Sequence, residues 1–288
     1  MTFASILVPV DGSTSADGAL RLALRLAAPD GEIVIAHVID RAAVVAECVT
    51  PYGGDATPAL EALEADERDI FASAVARARA ANVRASTVAL DGSAVGCIIR
   101  LARERGIKAI AMGTHGRHGV ARLFLGNTAA GVVRETDVPT FVVNERNAER
   151  AEAPFKHIAI AFDSSPASRA AARAAVDLAA HDGGRIFFAR IGGAAAGDGA
   201  DDRAYSEISA YVLSSGVPSD GAVLHGDPLT AILDCAAVDH ADLVVIGGHR
   251  RGEPDSPLGS EVESVVRTSP IPVLVVPSAA AGIPAVSR

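Results

Sequence analysis

A chain of 288 residues, 49% of them hydrophobic, can bury a sizeable core and suggests two domains of ordinary size. Its net charge of −9, with the signs interspersed, argues against a general nucleic-acid or anionic-membrane surface, so any attraction for phosphate has to be local. No apolar run is long enough to span a membrane and no basic segment leads into a secretory apolar run, which together predict a cytoplasmic location.

The first predicted strand is the apolar run Ile6–Val10, which stops at Asp11 and passes through Gly12, Ser13, Thr14 and Ser15 into a helix from about Ala16. A second strand covers 33–38. The stretch 41–59 holds Pro51, Gly53, Gly54 and Pro58 and reads as a surface loop, followed by a helix from about Ala59 to Ala81. Such a segment is either a tolerated insertion or a lid or partner-binding loop. Gly92 ends a further strand and opens a helix. Ile107–Met112 reads as a buried strand and Ala129–Arg134 as a helix, with Gly113, Gly116 and Gly126 threaded between them. Glycines let a backbone approach an anion closely, and the first free N–H groups of a helix point at it. The strand 140–143 follows Pro139, and a charged, alanine-rich stretch at 144–153 reads as a linker.

The pattern then repeats. The run 6–13 returns at 158–165, 33–38 at 186–191, Gly92 at Gly226, and 140–143 at 273–276. Two copies of one domain follow, at 1–145 and 155–280, joined by a linker at 146–154. Strands alternate with helices and are apolar rather than alternating, which predicts an α/β fold: two tandem, doubly wound, five-stranded parallel sheets covered on both faces, Rossmann-like, in strand order 3-2-1-4-5. Ligands of such sheets bind beyond the carboxyl ends of the strands where the winding reverses. Asp11 and Gly113 end the two strands that flank that point.

The residues Val8–Ser13, His37–Val38, and Met112–Gly116 through Leu125–Thr128 resemble those of a tandem universal stress protein, and the likeness covers both repeats. In the nucleotide-binding branch of that family the glycine motif is Gly, two residues, Gly, nine residues, Gly, then Ser or Thr. Gly113, Gly116 and Gly126 keep that spacing; Asn127 stands where the hydroxyl is expected, and its amide can also donate to phosphate. The resemblance implies an ATP site in the first copy. Pro9, Asp11 and Val38 would surround the adenosine, with Met112 beside it. Gly113, His115, Gly116, Gly126, Asn127 and Thr128 would hold the ribose and phosphates. Mg2+ would accompany the triphosphate, bound mostly by phosphate oxygens and water. Arg117 and Arg122 either add positive charge to this loop or are solvated surface. The resemblance also suggests that the last strands of the copies pair, making an internal pseudo-dimer, and that chains can pair again as a homodimer.

The second copy departs from the motif. Gly247 and Gly259 keep its ends, but the interval is one residue shorter and Arg250 stands at the position of Gly116. Glu253 and Asp255 add repulsion, while Pro254 and Pro257 remove two N–H donors. This copy is expected to bind ATP poorly or not at all, with Asp163 kept as a strand-end cap. His115 and His118 have a metal-like spacing without a third ligand nearby in sequence, so a metal site is not assigned. The remaining histidines, His37 among them, read as surface or strand-end residues, although His225 and His249 could meet at the second crevice. Cys48, Cys97 and Cys235 show no paired metal spacing, and disulfides are not expected. Common hydrolase signatures are absent. The sequence therefore favours an ATP-binding regulatory protein acting on an unknown protein partner, against a nucleotide-free interaction scaffold or a slow ATP hydrolase.

Overall fold

The apolar runs become the interior strands of one sheet, seen in a computed structural model that describes all residues except 1, 49–53, 115–125, 164, 192–198, 225–229, 231, 235–239, 249–261 and 283–288. The first half contains β1 (Phe3–Pro9), α1 (Thr14–Leu26), β2 (Ala27–Ile39), α2 (Arg41–Cys48), α3 (Thr57–Ala80) and β3 (Arg84–Asp91). It continues with α4 (Ala94–Glu104), β4 (Ala109–Gly113), α5 (Asn127–Glu135) and β5 (Thr140–Val143). The second half contains β6 (His157–Phe162), α6 (Pro166–Asp182), β7 (Arg185–Ile191), α7 (Gly199–Ser215) and β8 (Ser219–Leu224), then β9 (Leu243–Gly248), a helix at Val262–Thr268, and β10 (Val273–Pro277).

The ten strands lie in the order β3-β2-β1-β4-β5-β10-β9-β6-β7-β8. Each half is thus a parallel 3-2-1-4-5 sheet. The halves join where β5 and β10 run antiparallel, pairing Val142 with Val273, Phe141 with Leu274 and Thr140 with Val275. The sequence expectation of an internal pseudo-dimer is met.

Period-two geometry sorts the side chains of β1. Ile6 and Val8 enter the core cluster shared with α1 and α3, whereas Leu7 enters the cluster beneath α4 and α5 with Ile98, Ile110 and Val132. All three β1 residues are fully buried, each such side chain contributing about 1.5–3 kcal/mol. The expectation of uniformly apolar strands fails at the edge: β3 mixes exposed and partly buried residues with none fully buried, because the helices cover the faces of this edge strand incompletely.

The surface-loop reading of 41–59 also needs correction. Residues Arg41–Cys48 form α2, started by Asp40, whose Oδ1 accepts the Ala43 N–H at 2.9 Å. An acidic cap ahead of an alanine-rich run outweighs Gly and Pro punctuation that lies further along the chain. Pro58 sits in the first turn of α3, where a missing N–H is tolerated, so it starts a helix rather than marking a loop. Residues 49–53 lie outside the described part, as does Cys235; Cys48 and Cys97 are free thiols, Cys97 buried. No helix among the described residues is long and apolar enough to cross a membrane.

The charged connection between the copies is folded. Asn144 and Asn147 are buried; the Asn144 N–H donates to Asn147 Oδ1 at 2.9 Å, and Asn144 Nδ2 donates across to the Ser269 carbonyl at 2.7 Å. A 3-10 turn at Ala148–Arg150 then packs Ala148 onto Gly18 of α1, where a Cβ would meet Ala148 Cα at 2.8 Å. Further along α1, Arg25 reaches Asp182 at 2.8 Å, with side chains only 17% and 7% exposed. Asp182 Oδ2 also accepts the Phe155 N–H at 2.7 Å, and the Arg25 guanidinium lies 4.3 Å above the Phe155 ring.

Replacing Asp182 by Ala would strand both donors in a largely dry contact between the halves. Urea unfolding of D182A is expected to show a loss of about 3 kcal/mol. A change below about 0.5 kcal/mol would mean that the contact is incidental.

Candidate functional site

Strands β1 and β4 are parallel neighbours, pairing Ile6 with Ala109 and Leu7 with Ile110, and their helices leave to opposite faces of the sheet. A crevice must therefore open beyond their carboxyl ends. On the β1 side the chain turns sharply. Asp11 Oδ1 accepts the Ser13 N–H at 2.9 Å, Gly12 takes φ +76°, and Ser13 Oγ accepts the Ala16 N–H at 3.2 Å to cap α1. On the β4 side stands Gly113, where a Cβ would meet Ser15 Oγ at 2.4 Å and the Ala16 nitrogen at 2.8 Å. The first turn of α1 thus rests on the end of β4, and this packing alone requires a glycine.

The resulting cleft has a volume of about 220 Å³. Seven of the expected residues line it: Pro9, Asp11, Val38, Met112, Gly113, Gly126 and Thr128. Asn127 opens α5 but is exposed and does not form the wall. His115 and Gly116, with Arg117, His118 and Arg122, lie outside the described residues. The two ends of that segment are held together, since the Gly126 N–H donates to the Thr114 carbonyl at 2.8 Å while the Thr114 N–H donates to the Val143 carbonyl at 2.9 Å.

Sequence reasoning missed Thr114, His37, and the pair Ala94 and Ile98. Ala94 and Ile98 are one helical turn apart, so both fall on one face of α4. The Gly92–Ser93 step into a helix was a usable signal for them. His37 Nδ1 lies 2.6 Å from the Val10 carbonyl, and its ring meets Phe71 edge-on at 6.3 Å.

Two helices begin at this cleft. Neither α4 nor α5 has a side-chain hydrogen bond at its N-cap, Ser93 and Gly126 respectively, and neither carries an acidic residue in its first turn. By contrast α1, beside them, is capped by Ser13 and carries Asp17 in its first turn. Open N-terminal N–H groups with no acid to compete for them attract an anion. Among the described residues no group of three or more His, Cys, Asp or Glu side chains is placed to hold a metal ion.

The second half rebuilds the strand end. Asp163 Oδ1 accepts the Ser165 N–H at 3.1 Å, and Ser165 Oγ accepts the Ser168 N–H at 3.1 Å. A Cβ on Gly247 would meet the Ser168 nitrogen at 2.5 Å. Asp163 acts as the strand-end cap expected of it. The rest of that crevice, with His225, Gly226, His249, Arg250, Glu253, Pro254, Asp255, Pro257 and Gly259, lies outside the described residues.

Comparison with known proteins gives one answer for both halves. The model of the universal stress protein family matches residues 2–144 and 154–277. A universal stress protein of Mycobacterium tuberculosis is 28% identical over 94% of this chain and 94% of its own. A shorter one from Methanocaldococcus jannaschii is 26% identical over 51% of this chain and 85% of its own. The crystal structure of a universal stress protein from Archaeoglobus fulgidus superposes with a TM-score of 0.74 at 21% identity, covering 96% of this chain and 98% of that one, which supports the fold.

If packing fixes Gly113 and Gly247, each Gly→Ala change will cost about 1–3 kcal/mol in a denaturant titration without added nucleotide. An unchanged midpoint for G247A would remove packing as the reason for the glycine.

Proposed function

The chain belongs to the universal stress protein family in its tandem form, and on that basis we propose that its first half binds ATP in the β1/β4 cleft while its second half does not. The observation that carries the reading is the meeting of two uncapped, acid-free helix N-termini, those of α4 and α5, at one crevice wall. Pro9, Asp11, Val38 and Met112 take the adenosine side. Gly113, Gly126, Asn127 and Thr128, with His115 and Gly116, take the ribose and phosphates, mainly through main-chain donors. Mg2+ rides on the phosphates, its remaining ligands being water. The second half loses this capacity through Arg250, Glu253, Asp255 and the two prolines, whose charge and missing donors oppose a polyphosphate.

The activity proposed is regulatory. ATP bound to one conformation better than another shifts the population and so the choice of protein partner. Turnover is not part of the reading, which places Asp11 on the adenosine side, away from the phosphates. The free thiols of Cys48 and Cys97 fit a reducing cytoplasm.

Denaturing gently purified protein and counting released adenine nucleotide, then titrating desalted protein with MgATP by calorimetry, should give about one site per chain. Two sites would overturn the silent second half, and none, with no rebinding, would favour a nucleotide-free scaffold. Gly116→Arg, which imports the side chain of Arg250, is expected to weaken binding by at least about tenfold with an unchanged melting curve.

A further inference from the structure

Behind the cleft wall, α4 and α5 touch at a point that has no room for a side chain. Ala94 and Ile98 of α4 and Thr128 and Ala129 of α5 line the cleft. Val95, half-buried, and Gly131, buried, belong to the same two helices, and a Cβ on Gly131 would meet Val95 Cγ2 at 2.6 Å and Cγ1 at 3.1 Å. Val95 cannot readily turn aside, because a β-branched side chain in a helix keeps essentially one χ1 rotamer. Glycine inside a helix costs stability relative to alanine, so helix formation gives no reason for one here. What it provides is a close approach of the two helix axes. Val95 is the second residue of α4 and Gly131 the fifth of α5, so the contact sets the spacing of their N-termini rather than of their far ends. The second half is built differently. Ser264 follows Gly259 by the same five positions that separate Gly131 from Gly126. It is half-buried and its Oγ accepts Arg267 Nη2 at 3.5 Å, so a side chain has room there.

We infer that Gly131 is a positioning residue for the phosphate chain: its contact with Val95 draws the open first turns of α4 and α5 together, so that N–H groups of both helices reach one polyphosphate. The identity of that ligand rests on the ATP reading above; the contact does not. The attraction of a helix N-terminus for an anion falls off within the first turn, so two helices hold one anion only if their ends lie close. A nucleoside without phosphates is indifferent to that spacing.

Gly131→Ala, made alone and together with Val95→Ala, separates this role from mere packing. Val95→Ala removes both methyl groups that crowd the position and leaves only Val95 Cβ, at 3.4 Å. In urea unfolding without nucleotide, G131A should lower the midpoint in the parent and raise it in V95A, where the added methyl fills vacated space and alanine is the better helix former. A shift of the same sign in both backgrounds would overturn the contact. By calorimetry, G131A should weaken MgATP and inorganic tripolyphosphate about tenfold each and leave adenosine within about twofold, and the double variant should recover MgATP to within about threefold of the parent. Unchanged MgATP affinity in G131A, or an equal loss for adenosine, would overturn the positioning role and leave the ATP reading intact. A parent protein that binds neither MgATP nor tripolyphosphate would overturn the ATP reading itself, and the phosphate role with it.

Discussion

The antiparallel seam between β5 and β10 is the constraint on which the rest of the molecule depends. Each half alone would expose a β5-type strand with a row of unsatisfied backbone groups, a hazard that soluble proteins have to cover. Pairing Thr140–Val142 with Val273–Val275 covers both edges at once and lets the core run through, with Phe3 meeting Phe141 edge-on at 5.9 Å beside the seam. Because the strands are parallel within each half and antiparallel across the seam, the carboxyl ends of the two sets of strands point in opposite directions. The two crevices therefore open at opposite ends of the sheet. A ligand in the first makes no demand on the second, which is the physical freedom that a divergent second loop requires.

The strand-end glycine illustrates how one residue serves two masters. Gly113 and Gly247 are both required by the first turn of a helix packed against them, whatever else the neighbouring loop does. That accounts for Gly247 by packing alone, beside a loop whose sequence departs from the glycine motif at Arg250. It also means that Gly113 is weak evidence for a nucleotide on its own. The stronger argument comes from Ser93 and Gly126, caps that leave their helices open toward the cleft, set against Ser13, which closes α1.

How much was legible in the sequence follows from how local each signal is. The repeat, the parallel strands and the two strand ends that flank the cleft could be read, because buried parallel strands write continuous apolar runs and Asp11 and Gly113 mark their ends; the other expected wall residues came from the family resemblance. Helix α2 was hidden by nearby Gly and Pro residues that in fact lie beyond it. The ordered connection was hidden by its own composition: Glu145, Arg146, Glu149 and Arg150 advertise solvent, while Asn144 and Asn147 lock the backbone from within. Ala94 and Ile98 look like any core helix face, and only the fold brings them to the crevice. The contact of His37 with Val10 joins β2 to the residue just after β1, and no spacing rule announces it.

The folded connection has a consequence for assembly. Two subunits joined by a loose tether can trade partners, each seam forming with the half of a neighbouring chain and yielding swapped dimers or open strings. Here the segment after β5 is fastened twice before the second half begins, by the Asn144–Ser269 hydrogen bond and by Ala148 seated on Gly18 and accepting Arg21 Nη2 at 2.9 Å. Exchange would have to peel this segment from α1 before the seam could open. The connection works as a clasp: it holds each half at high effective concentration to its own partner, so a seam of three paired residues suffices.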